Sequence, residues 1–332
     1  MARILAGRRI GGRMANWNRR KWLALAAAFV VLIAGLAVLH SYLAPEPGEP
    51  LPNPNGYDDF VAAGEMLADR MHVSGLFLEQ QMSGLLTNKT DESLRGFVSN
   101  NRTALDRAHL GLTRACRVRI DYSTKANRHD SELFFVGSVA GALAAEGNLA
   151  QMEGKPMEAA EDYVGGVKLG MDVAHGGLMI DALVGAACES WATGGLQTTV
   201  PQLDGAQSRE ILEKLRKLES TRETKQEILE HEDAYFRRTL GFVSVFYDLR
   251  SIVYTGHKTP RTSHYLSVLT LAKYDAQRRQ TQEVELQLAL RAFELEKGRK
   301  AQGWGDLVPG YLKEIPKDPG TEKVVPWPPV LR

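Results

Sequence analysis

The chain has 332 residues, 44% of them hydrophobic and 24% charged, the make-up of an ordinary globular protein. Its formal net charge of +1 hides an asymmetry. The first 21 residues carry Arg3, Arg8, Arg9, Arg13, Arg19, Arg20 and Lys21 and no acid; without those seven, 34 basic side chains face 40 acidic ones, a formal charge of −6. A mildly acidic body argues against a nucleic-acid partner, which needs basic patches to displace counterions from phosphate.

Trp22 to Leu39 (WLALAAAFVVLIAGLAVL) follows the basic tail, with 18 consecutive residues free of charge, and His40 to Leu43 extend the run. Crossing the hydrocarbon core takes about 20 apolar residues, and backbone groups in lipid must be satisfied within the segment. Residues 22–43 are therefore predicted to be a single transmembrane helix, with membrane lipid as its partner. Trp22 and Tyr42 stand at opposite ends, where amphipathic rings favour the interface. Seven cations precede the run; Glu46, Glu49, Asp58, Asp59 and Glu65 follow it before the first cation, Arg70. The positive-inside rule predicts a cytoplasmic tail at 1–21 and a body on the far side of the inner membrane. A cleaved signal peptide is the rival, but its apolar region spans about 7–15 residues, and a cut after Ala44 would place Tyr42 where a small residue is required. Met14 as an alternative start would keep Arg19, Arg20 and Lys21.

Residues 44–56 (APEPGEPLPNPNG) hold five prolines and two glycines and predict an extended spacer. Beyond it the helical period dominates, predicting an all-α body over 57–315 and a Pro-rich tail over 316–332. Asp58 and Asp59 are expected to cap or charge a first helix through Phe60, Val61, Met66 and Leu67, with apolar residues reaching Leu86. Asn88 to Asp91 predicts a break, and a second helix is expected over about 91–115. Arg117 to Tyr122 alternates and is left open between strand and extended loop. Leu143, Gly147, Gly154, Ala159 and Tyr163 fall at the spacing of one tetratricopeptide-like hairpin, with Pro156 at a helix start. Ile211, Leu212, Leu215 and Leu218 form a short stripe. Ile228, Leu229, Tyr235, Phe236, Leu240 and Val243 continue at helical spacing to about Tyr254. A long helix over about 262–297 presents Leu286, Leu288, Leu290, Ala292, Phe293 and Leu295, and Gly298 ends it. Cys116 and Cys188 form one disulfide in an oxidising compartment or stand as two buried thiols; the spacing does not decide.

From Leu290 to Pro319 the chain reads LRAFELEKGRKAQGWGDLVPGYLKEIPKDP. This run resembles the end of type II secretion major pseudopilin soluble domains: a helix ending in glycine, a Leu-Val-Pro turn, Tyr-Leu, then Pro-x-Asp-Pro. Joined to the anchor and to Asn55–Phe60, it is similar to a group of single-anchor helical envelope proteins of planctomycete-type bacteria. The resemblance implies that Trp304, Leu307, Val308, Tyr311, Leu312 and Ile315 fold back on the last helix and that Pro316 and Pro319 end the structure. The chain departs from pseudopilins at its N-terminus, which lacks their processed Gly-Phe-Thr-Leu-Ile-Glu-like start.

Catalytic signals are weak. His231-Glu232-Asp233, with Glu227 and Glu230 one turn back, shares a helix face as bundle metal sites do, but the second histidine of a zincin pattern is replaced by Tyr235. His72, His109, His129, His175, His257 and His264 match no ligand spacing. Gly165-Gly166, Gly176-Gly177 and Gly194-Gly195 read as close helix crossings or turns. Asn88 and Asn101 sit in glycosylation sequons. No catalytic, cofactor-binding or metal residue is assigned. The favoured reading is a membrane-anchored, non-enzymatic interaction or scaffold protein of the bacterial envelope with a protein partner. The alternatives are an enzyme whose site gathers distant carboxylates and histidines around His231 and Glu227, or a pseudopilin-related secretion component.

Overall fold

The computed structural model describes residues 4–43, 50–68, 91–120, 127–240, 244–246, 253 and 264–329. Among these the chain is all-α, and its one extended pairing is an isolated bridge between Lys317 and Val324.

Helix α1 runs unbroken over Ile4–Leu43. It therefore begins inside the basic tail, well before the anchor expected from Trp22; Arg, Leu and Ala all propagate helix readily. Its Lys21–His40 stretch is long and apolar enough to cross a membrane, and none of it is buried within the protein. His129–Met152 also passes on length and composition, but two-thirds of it is buried, as befits a core helix.

Helix α2 spans Gly56–Met66. Its cap is Asn55, not Asp58 or Asp59. The Asn55 amide oxygen accepts from the Tyr57 N–H at 3.2 Å and the Arg117 N–H at 3.0 Å, and its nitrogen donates to the Arg117 carbonyl at 2.8 Å. Asp59 is buried and paired with Arg107 and Arg114, each at 2.6 Å. Asn55 and Gly56 are thus buried against the packed body. The expected run toward Leu86 lies outside the described residues after Ala68.

The helix expected over 91–115 is two: α3 (Asp91–Asn100) and α4 (Arg102–Leu112). Asn101 makes the break. Its side chain accepts from the Ala68 N–H at 2.8 Å and donates to the Phe97 carbonyl four residues back at 2.9 Å, adding one tertiary and one local bond where the two helices meet. Its burial leaves no room for a glycan. Residues 117–120 form no strand; Val118 donates one backbone bond to His175 at 2.9 Å.

The hairpin expected around 130–196 is present as α5 (Asn127–Met152) and α6 (Pro156–Ala174), joined through Gly154 at φ +73°. Helix α7 (Met179–Thr199) packs along α6. Small residues set the approach: a Cβ on Gly170 would lie 2.6 Å from the Gly185 carbonyl oxygen. The Tyr163 ring is wedged between Gly147 on α5 and Gly195 on α7, and its hydroxyl donates to Asn148 at 2.5 Å. Helix α8 (Gly205–Glu219) buries Ile211, Leu212 and Leu215 behind an Asp204–Gln207 capping box. Helix α9 (Lys225–Leu240) buries Ile228; its expected continuation falls mostly outside the described residues.

Helix α10 (His264–Lys297) ends at Gly298, with φ +65°. Its Val284, Leu288, Ala289, Ala292 and Phe293 fill a core shared with α6, α7, α8 and the C-terminal segment. A second core joins α2, α4 and α5 through Tyr57, Phe60, Leu105 and Leu143. Each such buried side chain contributes about 1.5–3 kcal/mol of transfer free energy. Leu295 and Ile315, expected in contact, are exposed. The segment after the short helix α11 (Trp304–Leu307) folds back as expected, with Leu307, Tyr311 and Leu312 buried. It does not stop at Pro319: Trp304 meets Trp327 edge to face at 5.1 Å and donates to the Val325 carbonyl. Cys116 and Cys188 are free and buried, the thiol reading of the pair.

Candidate functional site

Three polar assemblies concentrate titratable groups. The first surrounds the His175–Gly177 turn between α6 and α7. Glu223 accepts from the Gly176 N–H at 3.1 Å, Asp181 from Leu178 at 2.7 Å and Glu232 from Met179 at 2.9 Å. His129 lies 2.9 Å from the other Asp181 oxygen. Burial raises the Glu223 carboxyl to about 7, and the Asp181 contact raises His129. These carboxylates satisfy the free amides at the start of α7, where negative charge is favoured.

This arrangement also places the residues singled out in the sequence. Glu227 accepts from the Thr224 N–H and hydroxyl, which holds its pKa low and caps α9. Glu230 accepts from Gln226 at 2.7 Å. His231 lies 3.5 Å from Glu223, and burial lowers its pKa, so it is neutral at pH 7. Their shared helix face is used for capping and packing, and they form no three-ligand set among the described residues.

The second assembly is a cleft of about 460 Å³. Its walls are α8 (Arg216, Glu219), α10 (Arg278, Gln282, Glu285) and the returning segment from Leu312 to Glu322. Side chains on α10 and α8 hold that segment. Arg216 donates to the Tyr311 carbonyl at 3.0 Å, Gln282 to the Lys317 carbonyl at 2.9 Å, and Arg279 pairs with Asp318 at 2.7 Å. Tyr311 donates to Glu296 at 2.7 Å, and the Arg209 guanidinium lies 4.4 Å from the Tyr311 ring centre.

Glu285 lies on the α10 wall of this cleft. Burial, reinforced by the charge of Glu219, pushes its carboxyl to about 8, so it is mostly protonated at pH 7. One of its oxygens is buried with no hydrogen-bond partner, as is the Arg278 Nε seven residues earlier on the same helix. Beneath the α8 wall, Arg222 bonds both oxygens of Glu189 at 2.9 and 2.6 Å and reaches Glu219 at 2.6 Å. The Arg222 and Glu189 side chains are 4% and 1% exposed. Burial opposes the charge on Arg222, but the two carboxylates outweigh it and hold its pKa up. The protonated Glu285 and the Arg278 guanidinium, under a rim of Arg216, Lys313, Lys317, Glu314 and Glu322, suit a ligand carrying both charge signs.

The third assembly is His109 on α4, Glu146 on α5 and Asp162 on α6, whose ligand atoms lie within 4.8 Å of one another. His109 Nε2 is 2.6 Å from Glu146. Sequence spacing did not reveal this set, because its members lie on three different helices and only the packing of those helices brings them together.

No family model, curated protein or solved structure matches this chain, so its reading rests on the cleft, the anchor and the side-chain clusters.

Proposed function

We propose that this protein is a single-pass envelope adaptor that docks an extracytoplasmic polypeptide in the cleft between α8, α10 and the returning C-terminal segment. Helix α1 holds it in the inner membrane with the basic tail in the cytoplasm, and the Pro-rich spacer sets the helical body off the far face. The observation that carries the reading is the protonated, unpartnered Glu285 in a cleft rimmed by charges of both signs. A buried polar group left unbonded costs about 1–3 kcal/mol, which a partner's polar group recovers on binding. A polypeptide supplies that group along with side chains of either charge. The role requires no chemistry on the partner.

A photo-crosslinking residue placed at Gln282 or Lys317 in intact cells tests this. The expected result is a discrete adduct from both cleft positions, absent when the probe replaces Gln226 on α9, and lost from the Gln282 probe when Arg278→Glu is added. Equal labelling from all three positions would overturn the docking reading. Protease added to spheroplasts tests the orientation: degradation of the body is expected, and its protection would overturn the topology.

A further inference from the structure

His109, Glu146 and Asp162 come from three different helices and converge with no role in the cleft. An imidazole nitrogen and two carboxylate oxygens are the donor types that first-row divalent cations take, and Zn²⁺ accepts this mixture at about 2.0–2.2 Å. In a tetrahedral Zn²⁺ site the donors stand roughly 3.4 Å apart, so donors already within 4.8 Å need only small side-chain rotations to close on an ion.

Two observations set the trio apart from a simple surface pair. One Asp162 oxygen is buried and accepts no hydrogen bond, although a carboxylate in that position needs a donor or a cation. The local charge is also lopsided. Arg102 approaches one Glu146 oxygen at 3.5 Å and His109 takes the other, while Glu146, Glu158 and Glu161 all add negative potential at Asp162. Lys155 and Lys214 serve Glu158 and Glu161 from the outer side. His109 is the one favourable charge among the groups acting on Asp162, and its hydrogen bond goes to Glu146.

We propose that His109, Glu146 and Asp162 bind one divalent transition-metal cation of the Zn²⁺ class, joining α4, α5 and α6 at a position independent of the docking cleft. Three protein donors leave a coordination position for water or a ligand group, and the partly exposed His109 leaves that position reachable from solvent. The ion would displace the proton shared by His109 and Glu146, so binding releases protons.

The test uses the full chain in detergent, stripped with chelator, then titrated with Zn²⁺ by calorimetry beside His109→Ala and Asp162→Asn. One Zn²⁺ per chain is expected, with at least tenfold weaker binding in each variant. A Tm rise of roughly 5–10 °C is expected at a hundredfold excess over Kd, because the ion binds only the folded form. Asp162→Asn preserves shape, so it carries the test if His109→Ala fails to fold, with far-ultraviolet circular dichroism confirming helicity. Absence of saturable binding would overturn the proposal. So would stoichiometric binding that both variants leave unchanged, because the ion would then sit elsewhere.

Discussion

Replacing Glu285 by Gln isolates the protonated carboxyl of the cleft. The substitution keeps the shape and removes the titration. In the unfolded chain the carboxyl loses its proton near 4.5, while in the fold burial holds it until about 8. Between those values the native state binds a proton that the unfolded state has released, so the contribution is full below pH 4.5 and is lost as pH rises through 8. At about 1.4 kcal/mol per tenfold, the rise from 4.5 to about 8 sets an upper bound of roughly 5 kcal/mol. Water entering from the open side of the cleft reduces this, and about 2–4 kcal/mol is expected. The Gln variant should match the parent at pH 4.5 and exceed it by that margin at pH 9. Urea unfolding followed by circular dichroism at 222 nm, in detergent across pH 4.5–9, reads the gap as a shift in midpoint at constant m. A gap of the same size at both ends of the range would refute the reasoning, because a pH-independent offset reflects packing and not a titrating group.

The other expectations concern the frame around the site. Arg222→Met should cost about 3–5 kcal/mol, since Glu189 would be left buried without its guanidinium, whereas the double variant with Glu189→Leu should recover most of that loss; additive costs in the same unfolding assay would show that the pair is not coupled. The adjacent glycines of α7 should answer with opposite signs. A Cβ at Gly194 meets nothing within 4 Å, so Gly194→Ala should stabilise by up to about 1 kcal/mol. At Gly195 it would lie 2.3 Å from the clamped Tyr163 ring, so Gly195→Ala should destabilise by about 1–3 kcal/mol; like signs in thermal melts would contradict the packing. Arg introduced at both Val31 and Leu32 opposes insertion by about 2.5–3.5 kcal/mol per residue near the helix centre. The doubly substituted chain should become extractable by alkaline carbonate, and full retention in the pellet would count against α1 as the anchor.

The helical class and the element spacing were legible because they depend on periodicity and on punctuation by Gly and Pro. Gly154, Pro156 and Gly298 sit at the boundaries their chemistry dictates. What escaped was decided by tertiary partners. Asn101 breaks a helix of good pattern because Ala68, distant in sequence, offers its amide a bond. Asp58 and Asp59 read as residues that cap or charge the first turn; they do lie in it, but the cap is Asn55, which holds two amides and a carbonyl, while Asp59 is drawn inward by two arginines from α4 and the segment after it. Leu295 and Ile315 are apolar, in a helical stripe and in a returning segment, yet both side chains remain exposed.

The same distinction explains why the charged residues around His231 were conspicuous and the carboxyls without partners were not. Glu227, Glu230 and His231 cluster within one turn, and local bonding satisfies the two carboxylates: Thr224 and Gln226 supply donors from the same helix end, while His231 faces Glu223 at 3.5 Å. Such carboxylates have little left to offer a ligand. Asp162 adjoins Glu161, and Glu285 lies two residues from Glu283, so each is one acid among others in the sequence, and whatever balances it must come from another element or from outside the chain. In both cases burial by neighbouring helices raises the carboxyl, and one oxygen finds no donor in the fold. A buried polar atom that the fold itself does not satisfy is destabilising, and its free energy is recovered only on binding. The cleft and the α4–α5–α6 trio are therefore where a partner and a cation have the most to gain, and the dense acidic run of α9 is where they have the least.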